Sequence, residues 1–521
     1  MALTRRACLQ SLAAMAAGAP SLSSAAEQAR PSLIVGVQDN PPQLDPLRLT
    51  TNVAFRVTAS LYDFLIRTDF APGSSVGARV PGLATSWRAL SPTVFECRIR
   101  PGVRFHDGSA LSAADVAFSF GPERMLTESL PSRAISRQFF GGLAQVEAMD
   151  SETVRFVTKE PDPLFEMRLA GWSAQIISKA AFERTNDWDR WAQNPVGTGP
   201  YRVAEVRAGE LIRLVAHDAY WGGRPPFASI TFRVIPEAAS RFNALAASDV
   251  QIVTEVTPDQ IAGIERHAAL QVAGGAINNI RVLNYGTFGG PMRDPRIRRA
   301  MNFAIDRELI TGALLAGRVG VPKGYQWPAY GDMYIEDFAA PRHDPDAARK
   351  LLHEAAYSGE PIEYRTQTNY YAAELATAQA IQQMWEAVGL KVDLKVCENW
   401  GQVFAQPNYA VFNGSINMVY PDAMGALYVL YGPNGFIRFQ ANAWKSDAFD
   451  RIGATLATPI GRDERRALHR RILELFDSED PPGTVLHQTP MLYGKRRDIA
   501  WVPQPTPFMD FGPFNPATRN L

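Results

Sequence analysis

Short apolar runs and helical repeats alternate along the chain, and that alternation predicts an α/β protein. The run "SLIVGVQD" at 32–39 reads as a buried strand, and "LDPLRLTTNVAFRVTASLYDFLIRTD" as a loop followed by a helix ending near Arg67. In "VFECRIR", Phe95, Cys97 and Ile99 share one face while Glu96, Arg98 and Arg100 share the other, the period-2 signature of a half-buried strand. Pro101-Gly102 and Asp107-Gly108 are turn pairs on either side of "VRF", which reads as a second strand. Ser112 with Asp115 three residues on resembles a capping box, and the spacing predicts a helix through "AADVAFSF".

The second half reads as more helical. In "MRDPRIRRAMNFAIDRELITGALLAG", Asp294 is placed to cap, Pro295 takes the first helical position, and Gly317 marks the end. Ile297, Met301, Ala304 and Ile305 repeat at helical spacing and form its buried stripe. Asp344 and Pro345 open a further helix in the same way. A helix through Ile381, Trp385 and Val388 ends at Gly389, and the strand "LKVDLKV" follows with Leu390, Val392, Leu394 and Val396 alternating. Strand–helix–strand units of this kind build α/β layers. The sequence carries no internal repeat, no low-complexity segment and no Gly/Ser-rich linker, so the lobes of the protein are expected to be joined by ordered strands.

Composition narrows the possibilities only a little. At 521 residues the chain is too long for one compact core. Lys plus Arg balances Asp plus Glu at 53 each, which argues neither for nucleic acid nor for an anionic membrane as a partner. The first residues look like a removable leader over 1–26. Arg5 and Arg6 are followed by a modest Ala-rich apolar run, and Ser24 and Ala26 suit a cleavage site. Paired arginines before a modest apolar stretch suit Tat export, with the general secretory route as the alternative. No later stretch approaches the ~20 apolar residues of a spanning helix. Cys97 and Cys397 stand 300 positions apart in two strand-like segments and read as single buried thiols.

His106, Asp107 and Ser109 are the residue types of a hydrolytic triad, yet they are neighbours on one tight turn and diverge, where a relay needs three separate elements. The chain lacks G-x-S-x-G, "GWSAQ" at 171–175 missing its final glycine. None of the seven histidines sits in H-E-x-x-H or a close metal-ligand pair. The cluster therefore reads as scaffold. "VGTGPY" at 196–201 lacks the lysine of a phosphate-binding loop and reads as a structural turn.

The stretch "LATSWRALSPTVFECRIRPGVRFHDGSALSAADVAFSF" resembles the signature of the family 5 extracellular solute-binding proteins, the peptide/nickel-type periplasmic components of ABC importers. The shared positions are Trp87, Arg100, Gly102 to Val103, Phe105 to Gly108, and Ala114 to Val116. Three further landmarks follow in order. They are "NPVGTGPYRVAEVRAGELIRLVAHDAYWGG" (194–223), "DPRIRRAMNFAIDRELI" (294–310) and "AARKLLHEAAY" (347–357), the last with Ala356 where glycine is usual.

The resemblance implies a two-lobed α/β fold of the type II periplasmic-binding-protein kind, with an additional inserted α/β domain and a hinge between lobes. Lobe I is expected at 31–55, 175–280 and 485–521, the inserted domain at 56–174 and lobe II at 281–484. The chain would cross between lobes near 278–286 and 486–494. It also implies a non-enzymatic receptor that hands its ligand to an inner-membrane permease, with a chemoreceptor open as a further partner, and a monomer without cofactor or bound metal. Peptide-like ligands are favoured; amino-acid conjugates, saccharides and nickel or haem chelates stay open, as does an exported hydrolase.

By the same resemblance Asp422 falls where peptide-binding relatives pair an aspartate with the ligand's α-ammonium, though Ala423 follows where they usually carry proline. The alternative for Asp422 is a helix cap before "AMGALYVLY". Asn417, Tyr420, Trp400, Tyr428 and Tyr431 are candidate polar and aromatic contacts around it. Asn40 and Gln43, in the loop after the first strand, are candidates at the cleft edge, and Trp172 and Arg168 lie where the inserted domain returns.

Overall fold

The computed structural model describes residues 30–518, apart from 49–50, 71–77, 126, 128–129, 131, 369, 408 and 440; the expected leader at 1–26 lies outside them. The strands are β1 (Ser32–Val37), β2 (Ile66–Asp69), β3 (Ala78–Pro81), β4 (Ala84–Ser91), β5 (Val94–Ile99) and β6 (Leu143–Ala148). After them come β7 (Thr153–Thr158), β8 (Tyr201–Arg207), β9 (Leu211–Ala216), β10 (Ser229–Val234) and β11 (Ile252–Val253). The last five are β12 (Leu270–Tyr285), β13 (Ile362–Thr366), β14 (Val392–Val396), β15 (Val411–Asn417) and β16 (Gly483–Arg496).

Ten of these join one mixed sheet in the order β14-β13-β15-β12-β16-β11-β1-β10-β9-β8, and β4-β5-β7-β6 form a separate four-stranded antiparallel sheet. The two long strands hold the large sheet together. Leu270–Ala276 of β12 pair antiparallel with Arg496–Pro490 of β16, and Ile280–Asn284 pair with Gln488–Gly483. Between those stretches Ile277, Asn278 and Asn279 stand opposite Thr489 alone, a bulge in mid-strand. From Asn279 onward β12 also pairs with β15, while the other end of β16 pairs with β11, so each strand serves both halves of the sheet.

The apolar positions gather into several cores. One packs Leu33, Val35, Phe232 and Trp501, and takes in Val57, Leu61 and Tyr62. A second surrounds the small sheet with Cys97, Ile99, Phe105, Val116 and Phe156. Two more, one around Trp444 and Tyr431 and one around Ile297, Met301 and Trp385, flank the β13–β15 side.

The alternation in β5 holds, with Cys97 and Ile99 buried and Arg98 exposed, and the Ser112–Asp115 capping box opens the helix Ala113–Ser119. Four expectations are corrected. The helix after the first strand covers only Asn52–Thr58, because the carbonyls of Ser60 and Leu61 are taken by the amides of Tyr201 and Gly199, and Ile66–Asp69 is a strand. "VRF" contributes only an isolated bridge between Arg104 and Ala110. The segment from Asp294 to Gly317 is two helices, Pro295–Ala304 and Arg307–Leu315, because Asp306 leaves the first and caps the second through the Leu309 amide. Val396 is exposed because β14 is the sheet's edge and is covered on one side only. Both cysteines are free thiols, Cys97 buried and Cys397 half-buried.

Candidate ligand-binding site

A cavity of about 180 Å³ opens where several parts of the chain meet. One wall comes from residues between Phe55 and Phe70 with Arg79, another from Asn278 on β12 and Asn417–Pro421 at the end of β15, a third from Gln504–Phe514 near the C-terminus, and Met167, Trp172 and Tyr220 add to the lining. The walls are mainly aromatic. Phe55 lies 5.2 Å from Phe508 and 5.3 Å from Trp172, ring centre to ring centre, and Phe64 lies 6.4 Å from Phe508. These rings are held from behind by sequence-local structure. Phe55 sits on the capped helix after Thr51, and Trp172 packs edge-on against Phe139 at 4.8 Å.

The polar groups are few. Asp63 accepts hydrogen bonds from Thr198 Oγ1 at 3.0 Å, Tyr220 OH at 2.9 Å and Trp221 Nε1 at 2.9 Å. Burial pushes its carboxyl up from the ordinary value, against the pull of those three donors. Arg67, on β2, lies with its guanidinium 3.5 Å from the centre of the Phe514 ring. Burial lowers its pKa from the ordinary value, and the fields of Asp63, Asp69 and Asp510 oppose that shift. Asn417 accepts from Asn279 Nδ2 at 2.6 Å, and Asn279 also donates to Ser415 Oγ at 3.2 Å and accepts from Thr489. One asparagine thus ties β12, β15 and β16 together at the bulge beside the cavity. Tyr420 is 3% exposed, its hydroxyl has no hydrogen-bond partner, and burial pushes its pKa up to about 12.

Of the residues singled out from sequence, Asn417, Tyr420 and Trp172 line this cavity. Asp422 does not. Its carboxylate caps the turn Ala423–Gly425 through the Met424 amide at 2.8 Å and receives Arg465 Nε at 2.6 Å and Nη2 at 3.3 Å. With both oxygens engaged and the side chain 4% exposed, it occupies the cap position that was its alternative reading. Trp400 stacks at 11° on Phe404, 5.2 Å away, in the β15-side packing. Tyr428 lines a separate cavity with Phe139 and Arg168, and Arg168 is paired with Asp162 at 2.7 Å. Tyr431 is buried in the core beside Trp444. Asn40 donates to the Phe232 carbonyl on β10 at 3.3 Å while its Oδ1 is buried without a partner, and Gln43 accepts from the Asp45 amide at 2.5 Å; neither residue lines the cavity.

Sequence reasoning passed over Arg67, Phe55 and Phe508. The signal available for Phe508 was "PTPFMDFGPFNP" at 505–516, three phenylalanines among prolines with neither helical nor strand period. Such a segment cannot bury its rings in a regular element and presents them from a loop.

The triad look-alike is resolved by geometry. The amide of Gly197 donates to His106 Nδ1 at 3.3 Å, so Nε2 carries the proton and donates to the Gly199 carbonyl at 3.1 Å. Asp107 turns the other way, accepting from Ser109 Oγ at 2.6 Å and Arg184 Nη2 at 2.6 Å. His106 therefore pegs the glycine turn of "VGTGPY" to the small-sheet region. Among the described residues no group of three His, Cys, Asp or Glu side chains is placed to hold a metal ion.

The family model described as bacterial extracellular solute-binding proteins, family 5, matches residues 78–437, more than half of the chain. The chain belongs to this family. As a family 5 solute-binding protein it is 26% identical over 395 residues to the dipeptide-binding protein of Escherichia coli K12, covering 71% of this chain and 72% of that one. Its fold matches that of the dipeptide-binding protein from Pseudoalteromonas sp. SM9913 in complex with Met-Leu, with a TM-score of 0.82 at 20% identity over 93% of this chain and 99% of that one. It matches equally the fold of AgaA from A. tumefaciens R10 in complex with agropinic acid, with a TM-score of 0.78 at 23% identity over 90% and 94%. Proteins of this type II two-lobed α/β fold thus carry ligands of different chemistry on one scaffold.

Proposed function

We propose that this chain is the exported receptor of an ABC importer, capturing a short peptide or peptide-like solute in the aromatic cavity and presenting it to an inner-membrane permease. It acts by binding, with no bond made or broken. The observation that carries this reading is the cavity itself, built jointly from residues 55–70, the β12 bulge, the end of β15 and the C-terminal loop. A site assembled from separate parts of the chain is one that their relative motion can open and close. The similarity to the Escherichia coli dipeptide-binding protein supports peptides. The paired arginines at 5 and 6 support Tat export to the periplasm.

The proposed division is lobe I at 31–55, 175–280 and 485–521, an inserted domain at 56–174 and lobe II at 281–484. The separate cores support it, with the segment 57–62 packing into the first. Asp422, already neutralised by Arg465, favours a second reading in which the solute needs no α-ammonium, as an amino-acid conjugate would not.

A thermal-shift screen of the mature protein with dipeptides, tripeptides, N-acylated amino acids and oligosaccharides tests both. A ligand at ~100 times its Kd stabilises by about 2.7 kcal/mol. Peptides are expected to give the shift, and Asp422→Asn to leave their Kd within about threefold of the parent. A shift from saccharides alone overturns the peptide reading, and loss of peptide binding in Asp422→Asn restores it as an ammonium anchor.

A further inference from the structure

Arg67 stands out among the charged groups of the cavity. Its guanidinium rests on the Phe514 ring, and among the described residues it makes no side-chain hydrogen bond and no ion pair; Nε is buried without a partner. A guanidinium offers five N–H donors in a rigid fork, and holding one in a part-buried site without acceptors is costly unless something else supplies them. The other arginines near the site are engaged. Arg79 pairs with Glu166, Arg168 with Asp162 and the Phe139 carbonyl, and Arg465 with Asp422.

The carboxylates around Arg67 are engaged as well. Asp63 holds its three donors, and Asp510 accepts from the Gly512 amide at 2.7 Å and from Gln504 Nε2 at 3.3 Å. Further donors point to the same need. Trp172 Nε1, a donor only, is buried without an acceptor, and the buried hydroxyls of Tyr420 and Thr506 have no partner; all three residues line the cavity.

Taking the cavity as the ligand site proposed above, we infer that Arg67 anchors a carboxylate of the solute, while the Phe55, Phe508 and Trp172 rings hold an adjoining apolar group. Planar fork to planar carboxylate is the geometry a guanidinium suits best. Phe514 behind it fixes the plane of the fork before a ligand arrives, so little side-chain freedom is lost on binding. Asp63, Asp69 and Asp510 share the wall with Arg67 and Arg79, so a zwitterion or a monoanion matches the site and a polyanion does not. The class is a compact acid with one apolar side group, and a dipeptide with a free C-terminus is its simplest member.

Isothermal titration calorimetry with Ala-Phe, its C-terminal amide and its N-acetyl form, on the mature protein and on Arg67→Met and Arg67→Lys, tests the assignment. The parent is expected to bind Ala-Phe at least tenfold more tightly than the amide and to tolerate N-acetylation better than amidation. Arg67→Met is expected to bring the acid-to-amide ratio close to one while retaining amide affinity, with Arg67→Lys between the two. Without ligand, Arg67→Met is expected to melt close to the parent, because the guanidinium it removes makes no hydrogen bond or ion pair among the described residues and the methionine still packs on Phe514; an arginine held by structural bonds would lower it markedly. Equal binding of acid and amide by the parent, or an unchanged ratio in Arg67→Met, overturns the anchor and leaves the peptide receptor standing. Failure of the parent to bind any of the three overturns the peptide reading and the anchor together.

Discussion

At the scale of single residues the protein spends most of its buried charge on itself. Asp422 is the plainest case. A carboxylate facing an inbound ammonium and one locked to an arginine are indistinguishable in the sequence, because the partner, Arg465, lies 43 positions away on another helix. What was legible was the cap, since an Asp before a short helical run is a local signal. Arg67 was illegible for the converse reason: nothing local marks an arginine as lacking partners, and only the assembled walls reveal it.

Burial of titratable groups has a measurable consequence at this scale. His106 is pushed down to about 3, and His469 and His487 to about 4, each chiefly by burial. Their folded pKa values lie below the ordinary histidine value, so their contribution to stability is complete above that value and is lost as pH falls. Between pH 6.5 and 4.5 the unfolded chain takes up protons that the folded chain refuses, at up to ~1.4 kcal/mol per pH unit for each histidine. Urea unfolding at pH 7.5, 6.5, 5.5 and 4.5 is expected to show this decline, to which His217, also lowered by burial, adds, and His469→Gln is expected to make it shallower. A stability that is flat across the window would contradict it.

At the scale of elements, turns and caps were read more accurately than lengths. The capping box at Ser112 and the Asp–Pro openings at 294 and 344 are where the sequence places them, because each depends on residues within four positions. The helix that stops at Thr58 and the one that breaks at Asp306 were read too long, since what ends them is a distant partner or a competing cap. "VGTGPY" owes its glycines to close approach. A Cβ at Gly197 would meet the Leu61 carbonyl oxygen at 2.1 Å, and one at Gly199 would meet the carbonyl oxygen of Ser60 at 2.5 Å. Gly197→Ala is expected to lower stability by about 2–3 kcal/mol, through displacement of the turn that His106 pegs. Denaturant unfolding read by tryptophan fluorescence checks this, with Gly209→Ala, a positive-φ glycine on an open surface, expected to cost only about 1 kcal/mol.

At the scale of the whole molecule, the architecture was accessible because four landmarks occur in order between residues 81 and 357, and a scaffold is what such landmarks specify. The cavity was accessible only in part. Its Asn417, Tyr420 and Trp172 were found by position, whereas Phe508 came from a C-terminal loop with no periodic signature. Export belongs to this scale too. Replacing Arg5 and Arg6 together by lysine is expected to hold the full-length chain in the cytoplasm, with fractionation and immunoblotting as the readout; unchanged periplasmic accumulation would assign the leader to the general secretory route.

The bulge in β12 has a mechanical meaning. An unbroken ladder of interstrand hydrogen bonds resists twisting along its whole length, and β12 with β16 forms such a ladder over Leu270–Ala276, whereas beyond the bulge the register shifts once more between Arg281 and Val282. Three residues set against one interrupt the backbone ladder at Ile277–Asn279, where side chains take over, Asn279 bonding to both Asn417 and Thr489. The larger of the two interruptions in the pair therefore lies at Asn278, which lines the cavity. In the proposed receptor, a solute filling that space would press on the sheet where its backbone ladder is interrupted.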